Sequence, residues 1–234
     1  MSEIQIDTKN DYKDVATSIV ITYICSLKII QLKNTKMKKL ILSASMLVSV
    51  IATAVAKPEV SAWAVDKSHS GVKFSVAHMM MSEMDGKFKV YDGTVVSTNE
   101  DFTDAQINFT VDVNSINTED EKRDAHLKSD DFFNAEKFPQ VKFKGTSFKK
   151  VSGNNYVLEG DLTIRDVTKK VKFDVVYFGI SKNPWGMTVA GFKAKSSINR
   201  MDYNLKWNAA LEAGGVLVGE EVGISVNLEL VKGK

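Results

Sequence analysis

Apolar and polar residues alternate with a period of two through most of the chain after residue 70. The runs Gln106–Val113 and Val222–Leu230 show this alternation clearly. Such a pattern predicts β-strands that have one apolar face and one solvated face. Turn-forming residues such as Ser152-Gly153-Asn154-Asn155 and Lys182-Asn183-Pro184 separate the runs. Many short strands with this spacing predict an all-β sandwich or barrel.

The segment Glu119–Ser129 interrupts the alternation, because it is rich in charged residues and contains neither Gly nor Pro. Thr118 precedes the segment and Glu121 follows three residues later, which is the spacing of a capping box at a helix N-terminus. We therefore predict one short helix between two strands. A second helical turn is predicted around Asn208–Ala213.

The N-terminal part of the chain has a different pattern. The basic start Met37-Lys38-Lys39 is followed by the apolar stretch Leu40–Val55, and Ala54-Val55-Ala56 has a small residue at each end. A basic start, an apolar stretch and a small-x-small site are the parts of a secretory signal peptide. We therefore predict a cleaved signal peptide over residues 37–56 and export of the rest of the chain.

Alternatives to this assignment remain open. The cut can fall at the neighbouring small residues Ala52-Thr53-Ala54 or Ser61-Ala62, and the segment can stay uncleaved as an anchor. Residues 1–36 precede the signal, and we expect them to be untranslated or part of a long leader rather than a domain. Residues 57–234 then suit one domain of ordinary size.

Removing residues 1–56 changes the cysteine content and the charge. The chain has one cysteine, Cys25, so the predicted domain has no thiol for a disulfide or a nucleophile. The chain carries 31 basic and 29 acidic residues; the leader holds 7 and 4 of them, which leaves 24 and 25. A net charge near −1, with no basic patch among aromatic residues, argues against nucleic acid as a partner.

Eight short blocks follow one another in order between Trp63 and Val231. They are His69-Ser70, Phe74–Met79, Ser115–Thr118, Arg123–Leu127, Asp131–Phe133, Phe138-Pro139, Gly160–Val167 and Asn199–Tyr203. In this order they resemble the YceI-like family of periplasmic polyisoprenoid-binding proteins. The resemblance implies a lipocalin-like fold, a periplasmic location and a long apolar ligand. An antiparallel barrel of about eight strands also fits the strand pattern, and such a barrel can enclose one slender ligand.

Two residues depart from the family pattern. Glycine usually stands in the family where this chain has Asp166 and Asn204. Asp and Asn are the non-glycine residues that best tolerate a positive φ angle. We therefore predict that both residues lie in tight turns with a left-handed backbone, and that the replacements leave the fold unchanged.

The residues that could carry chemistry form no recognised catalytic motif. Three histidines are enough to supply the protein ligands of a zinc or copper site, and the sequence has His69, His78 and His126. However, an odd separation along a strand places His69 and His78 on opposite faces, and hydrogen bonding at the barrel rim is the simpler role. The sequence has no GxSxG elbow and no Gly-rich phosphate loop. We expect no catalytic residue, no metal site and no cofactor, and hence a protein that is not an enzyme.

The interior of a small apolar barrel can be filled by side chains or can leave a tunnel, and the strand pattern alone does not decide between them. The resemblance favours a tunnel that holds a polyisoprenoid chain. Each buried methylene of such a chain contributes about 0.8 kcal/mol, so affinity needs no directed polar contact. The candidate tunnel residues are Phe74, Val76, Phe88, Phe109, Val111, Phe143, Leu158, Leu162, Phe173, Val189, Ile224 and Val226.

A polar head group on the ligand would need its own partners. Arginine suits phosphate and quinone oxygens. The candidate head-group residues are His78, Arg123, His126 and Arg200. The competing interpretation, which we favour, is that Arg123 and Arg200 pair with aspartates and hold the helix against the barrel. The candidate partners are Asp124, Asp131 and Asp202.

The sequence therefore predicts a periplasmic binding or carrier protein for a polyisoprenoid lipid, an isoprenoid quinone or another long-chain amphiphile. One alternative is an enzyme or redox accessory that acts on such a lipid through His78 or His126. Another is a ligand-free stress-response scaffold with a filled barrel. We expect no stable membrane insertion after cleavage, and the sequence leaves open whether the protein forms a homodimer.

Overall fold

The computed structural model describes residues 59–212 and 214–233. The predicted signal peptide at 37–56, the upstream residues 1–36 and Ala213 lie outside the described residues. The strands are β1 Ser61–Val65, β2 Gly71–His78, β3 Ser82–Phe88, β4 Tyr91–Ser97, β5 Gln106–Asp112, β6 Ile116–Asn117, β7 Gln140–Ser152, β8 Asn155–Ile164, β9 Val167–Lys182, β10 Thr188–Asn199 and β11 Val218–Lys232. The α-helix α1 covers Glu121–Lys128, and 3₁₀ turns cover Val113–Ser115 and Arg200–Tyr203. Among the described helices, none is long and apolar enough to cross a membrane.

Eight strands close into an antiparallel barrel in the order β1-β4-β5-β7-β8-β9-β10-β11, and the pairing of β11 with β1 completes the ring. Near its end β11 pairs with β1, for example Leu230 with Val65, whereas its first residues pair with β2, for example Val218 with His78. β2, β3 and β6 therefore extend the wall at the other end. The predicted all-β class, eight-stranded barrel and short helix between strands are confirmed.

Side chains fill one end of the barrel, which we call the closed end. Phe102, from the loop between β4 and β5, is fully buried there. Its ring centroid lies 5.1 Å from those of Trp63 and Phe192, so it plugs this end. Nearly every barrel strand contributes to the same cluster, which consists of Trp63, Val95, Phe102, Phe148, Tyr156, Phe173, Val175, Ala190 and Leu230.

Asp104 holds the loop that carries Phe102. Its carboxylate accepts hydrogen bonds from the backbone N–H groups of Thr98 and Asn99, at 2.9 and 3.2 Å, and from the hydroxyls of Ser97 and Thr98. Partial desolvation alone would raise the pKa of Asp104, but the hydrogen bonds outweigh it and hold the pKa well below its usual range. The ionised form of Asp104 is thus the one that fixes the plug.

We predict that Asp104→Asn lowers the free energy of unfolding by about 1–2 kcal/mol at neutral pH, a modest value because the carboxylate is exposed. The folded-state pKa of Asp104 is depressed, so its contribution is present above the unfolded-state pKa and is lost as the pH falls toward the folded-state value. In denaturant titrations, the difference between the two proteins should shrink below about pH 4. A difference that stays constant in acid would contradict this role.

The helix α1 lies within the predicted segment, but the predicted cap is wrong. Asp120 is the N-cap, and its carboxylate accepts a hydrogen bond from the backbone N–H of Arg123 at 3.0 Å. Thr118 instead donates its backbone N–H and its hydroxyl to Asp124, at 2.8 and 2.6 Å. Glu119 lies between Thr118 and Asp120 and has a positive φ of 64°. This turns the chain so that Thr118 precedes the helix without capping it.

Two further local predictions are corrected and one is confirmed. Residues 208–212 form no helix. In the turn between β8 and β9 the positive φ, 55°, belongs to Arg165 and not to Asp166. The Arg165 guanidinium donates to three backbone carbonyls of neighbouring loops, and these contacts outweigh the local preference of aspartate for this conformation. Asn204 has the predicted left-handed backbone, with φ 62°, at the end of the second 3₁₀ turn.

Candidate functional site

A cavity of about 210 Å³ lies in the half of the barrel opposite the closed end. Leu127 of α1 belongs to its wall, so we call this half the helix end. The described residues expose only carbon atoms to the cavity. A single water molecule needs about 10–15 Å³ on this scale, so the space accepts a run of carbon atoms rather than one solvent molecule.

Eleven candidate tunnel residues line this cavity, namely Phe74, Val76, Phe88, Phe109, Val111, Phe143, Leu158, Leu162, Phe173, Ile224 and Val226. The assignment of Val189 to the interior is wrong. Its neighbour Ala190 is fully buried in the closed-end cluster. Successive side chains of a strand point to opposite faces, so Val189 points away from the interior. Because the closed end is filled, the space is a cavity at the helix end rather than a tunnel through the barrel.

Two of the lining phenylalanines lie over glycines of the neighbouring strand. Phe109 pairs across strands with Gly93, and Phe74 with Gly86. A Cβ atom at Gly93 would lie 2.4 Å from Cδ2 of Phe109, and one at Gly86 would lie 2.2 Å from Cζ of Phe74. The rings occupy the space that the missing side chains would take, so they cover the wall instead of filling the centre. This arrangement keeps a cavity open in an interior rich in phenylalanine.

Part of the wall comes from outside the regular strands and was missed by the alternation pattern. Leu127, Phe132, Phe133 and Leu205 also line the cavity. Phe132 and Leu205 are buried with Tyr203 in a cluster that covers the helix end. One sequence feature could have indicated this part of the wall, namely the consecutive aromatic residues Phe132-Phe133 in a loop after a charged helix. Such rings need an apolar neighbour.

Arg200 is the one candidate head-group residue that lines the cavity, and it is only 3% exposed. Its guanidinium donates to the carbonyls of Gly219 at 2.8 Å, Trp207 at 2.9 Å and Val218 at 3.2 Å, and also to that of Leu205. Val218 and Gly219 lie where the pairing of β11 with β2 shifts register. Arg200 therefore satisfies carbonyls that the sheet leaves free. Burial lowers the pKa of Arg200.

The family of the chain follows from a comparison with known sequences. The family model of the YceI-like domain matches residues 63–230. The chain belongs to the YceI-like family. A UPF0312 protein of Staphylococcus aureus (strain N315) is 39% identical over 165 residues, which cover 70% of this chain and 94% of that protein. The resemblance inferred from the eight blocks is thus confirmed.

Solved structures show the same fold. BcnA from Burkholderia cenocepacia has a TM-score of 0.61 and 24% sequence identity, and the match covers 70% of this chain and 98% of BcnA. A polyisoprenoid binding domain from Saccharophagus degradans has a TM-score of 0.53 and 15% identity, over 72% of this chain and 97% of that domain. At these identities the likeness concerns the fold of the YceI-like barrel.

The predicted pairing of Arg123 and Arg200 with aspartates is wrong in this YceI-like chain. Arg123 donates from Nε to the hydroxyl of Thr118 and from Nη2 to its carbonyl, both at 2.7 Å. Of the three candidate partners, Asp124 accepts from Thr118 and Asp202 lies 2.9 Å from Lys169. Arg123 thus connects α1 to the residue that follows β6. Arg200 donates to backbone carbonyls instead of pairing with an aspartate.

The third aspartate, Asp131, pairs with His126 at the rim of the helix end. Nε2 of His126 lies 2.8 Å from a carboxylate oxygen of Asp131. The imidazole packs edge-on against Phe132 and Trp207, with ring centroids 5.1 and 4.8 Å apart. Phe132 lines the cavity, whereas His126 does not. His78 ends β2, pairs with Val218 and does not belong to the wall.

The three histidines do not converge. Among the described residues, the one group with metal-ligand character is Asp66, His69 and Glu229. Nδ1 of His69 lies 2.8 Å from Asp66 and 4.0 Å from Glu229. Hydrogen bonds from Ser68 and His69 lower the pKa of Asp66 to about 2, and the bond to Asp66 raises the pKa of His69. These bonds connect β1 to β2 at a turn whose residues do not line the cavity.

Proposed function

We propose that the protein binds one long apolar chain of the polyisoprenoid type in the cavity at the helix end, and carries or sequesters it without changing it covalently. The observation that carries the proposal is a cavity inside the barrel whose wall exposes only carbon. Apolar cavities of this kind are poorly hydrated and take up apolar guests. A polyprenyl lipid or an isoprenoid quinone supplies many methylene and methyl groups, each worth about 0.8 kcal/mol when buried.

The proposal favours a neutral head group, such as a quinone or a prenol. Four of the five N–H donors of Arg200 already bind carbonyls. A phosphate or pyrophosphate needs several donors or counter-charges, and a wall whose described residues expose only carbon supplies none of them. Arg123 and His126 do not line the cavity, and the wall exposes only carbon although Lys73 and Arg200 belong to it, so no cation of the described residues faces the space.

Two further points support this assignment. The structural relative from Saccharophagus degradans is described as a polyisoprenoid binding domain, and the present barrel has the same fold. The sequence pattern at 37–56 has the parts of a secretory signal, so we also propose that the barrel acts in the periplasm. There, a water-soluble container would let an apolar lipid cross an aqueous space.

One experiment tests the proposal. The full chain is produced in a Gram-negative host, the periplasmic protein is purified without detergent, and it is examined by intact and native mass spectrometry and by organic extraction. We expect a mature mass that starts near residue 57 and an extractable, chemically unaltered isoprenoid. Protein that carries no amphiphile and takes up neither a long-chain prenol nor a quinone would contradict the proposal. A chemically altered lipid would instead favour an enzyme.

A further inference from the structure

The turn between β2 and β3 has an unfavourable backbone. The backbone N–H of Met81 donates to the carbonyl of His78 at 3.1 Å, which closes a four-residue turn, and His78 pairs with Ser82, so the hairpin loop consists of Met79, Met80 and Met81. Met79 and Met80, at its centre, have positive φ angles of 53° and 58°. Such turns normally carry Asn-Gly, because residues with a Cβ and a long side chain are disfavoured in this conformation. Two consecutive methionines therefore cost stability at this position.

Burial offsets little of this cost at Met80 and Met81, which are mostly exposed. Met79, Met80 and Met81 are 38%, 72% and 85% exposed. We call Met79–Met81 the methionine tip. Strained backbone that the fold itself does not require points to a function outside the fold. The tip presents three flexible apolar side chains to the surroundings of the protein, and methionine adapts to surfaces without fixed shape.

The tip lies beside the cavity. Val76, three residues before Met79 on β2, lines the cavity, and so does Val218 of β11. His78 pairs with Val218, and the backbone N–H of Met79 donates to the carbonyl of Leu217 at 2.9 Å. The exposed methionines are thus attached directly to two strands of the cavity wall. An apolar ligand entering at the helix end would pass close to this hairpin.

We propose that the methionine tip dips into the surface of a lipid bilayer and docks the barrel there while the apolar ligand moves between membrane and cavity. This inference rests on the proposed function and adds a lipid bilayer as the partner of the barrel. Three side chains cover far less area than the roughly 800 Å² per partner of a stable protein interface. A bilayer accepts so small a tip, because it requires no matching shape. The segment 78–86 contains Glu83 and Asp85 but neither Lys nor Arg, so the surface it suits is zwitterionic rather than anionic.

The test compares the full chain with the variant Met79→Asn/Met80→Gly/Met81→Ser. Asn-Gly is the preferred sequence for this turn, so the variant should fold with an equal or higher melting temperature. The probe is a fluorescent long-chain polyprenol, presented either in phosphatidylcholine vesicles or from a dilute ethanol stock. We expect transfer from vesicles to slow at least about tenfold, since most of the inserted apolar area is lost. Equilibrium binding from ethanol should stay within about twofold, since the cavity wall is unchanged.

The matched control is Val151→Asn/Trp185→Ser. These residues are 65% and 75% exposed and lie at hairpins next to the closed end, so their replacement should leave the transfer rate unchanged. An unchanged transfer rate in the tip variant, with normal equilibrium binding, would overturn the bilayer contact and leave the proposed function standing. Absence of equilibrium binding in the unmodified protein would overturn both. Transfer that depends on phosphatidylglycerol in the vesicles would overturn the zwitterionic surface.

Discussion

Arg200→Met should lower the free energy of unfolding by about 3–5 kcal/mol. The replacement keeps an apolar stem of similar length but removes the donors for four carbonyls, those of Leu205, Trp207, Val218 and Gly219. These carbonyls join the loop after β10 to the first residues of β11. Without a buried donor these four carbonyls must hydrogen-bond to water. This part of the wall should therefore separate to let water in.

The measurement is urea unfolding followed by tryptophan fluorescence. Arg200→Lys should recover little stability, because one ammonium group cannot reach carbonyls that a planar guanidinium spans. The matched control is Arg123→Met, which removes two hydrogen bonds to Thr118 near the surface and should cost about 1–2 kcal/mol. If Arg200→Met lowers the free energy of unfolding by no more than this control does, Arg200 is not what holds the loop after β10 to the first residues of β11. Selective loss of a phosphorylated lipid in a stable variant would instead assign it a head-group role.

The alternation of the sequence was sufficient to identify eleven of the residues that line the cavity. In a run such as Val222–Leu230, apolar residues occupy one face without ambiguity, so the inward positions could be assigned before the strand order was known. The failure at Val189 has a local cause. Val189, Ala190 and Phe192 put apolar residues on both faces of β10, and only the buried position of Ala190 determines which face is inside.

The cavity itself could not be predicted from the residues alone. Whether phenylalanines fill or cover a barrel interior depends on what each ring meets on the next strand. The pairing of Phe109 with Gly93 is a matter of register between β4 and β5, which alternation does not determine. The partners of Arg200 are unpredictable for a similar reason, since carbonyl groups freed by a register shift leave no mark in the sequence.

The second large effect is expected at Ala194, which lines the cavity on β10. Ala194→Phe places a ring in space that is empty in the protein. Because the cavity of about 210 Å³ can accept the added group, the free energy of unfolding should change by no more than about 1 kcal/mol in either direction. Bound isoprenoid should nevertheless fall at least about tenfold, since losing two buried methylene contacts at about 0.8 kcal/mol each already has that effect.

The measurement is the amount of isoprenoid extracted per protein, together with equilibrium binding of a prenol and a quinone. Lys195→Phe is the matched control, because Lys195 is the next residue on β10 and is exposed on the outer face. It adds a ring of the same size outside the barrel and should leave binding unchanged. A stably folded Ala194→Phe protein that retains full occupancy would show that the ligand lies elsewhere. Loss of binding in Ala194→Phe but not in Lys195→Phe would locate the ligand in the cavity at the helix end.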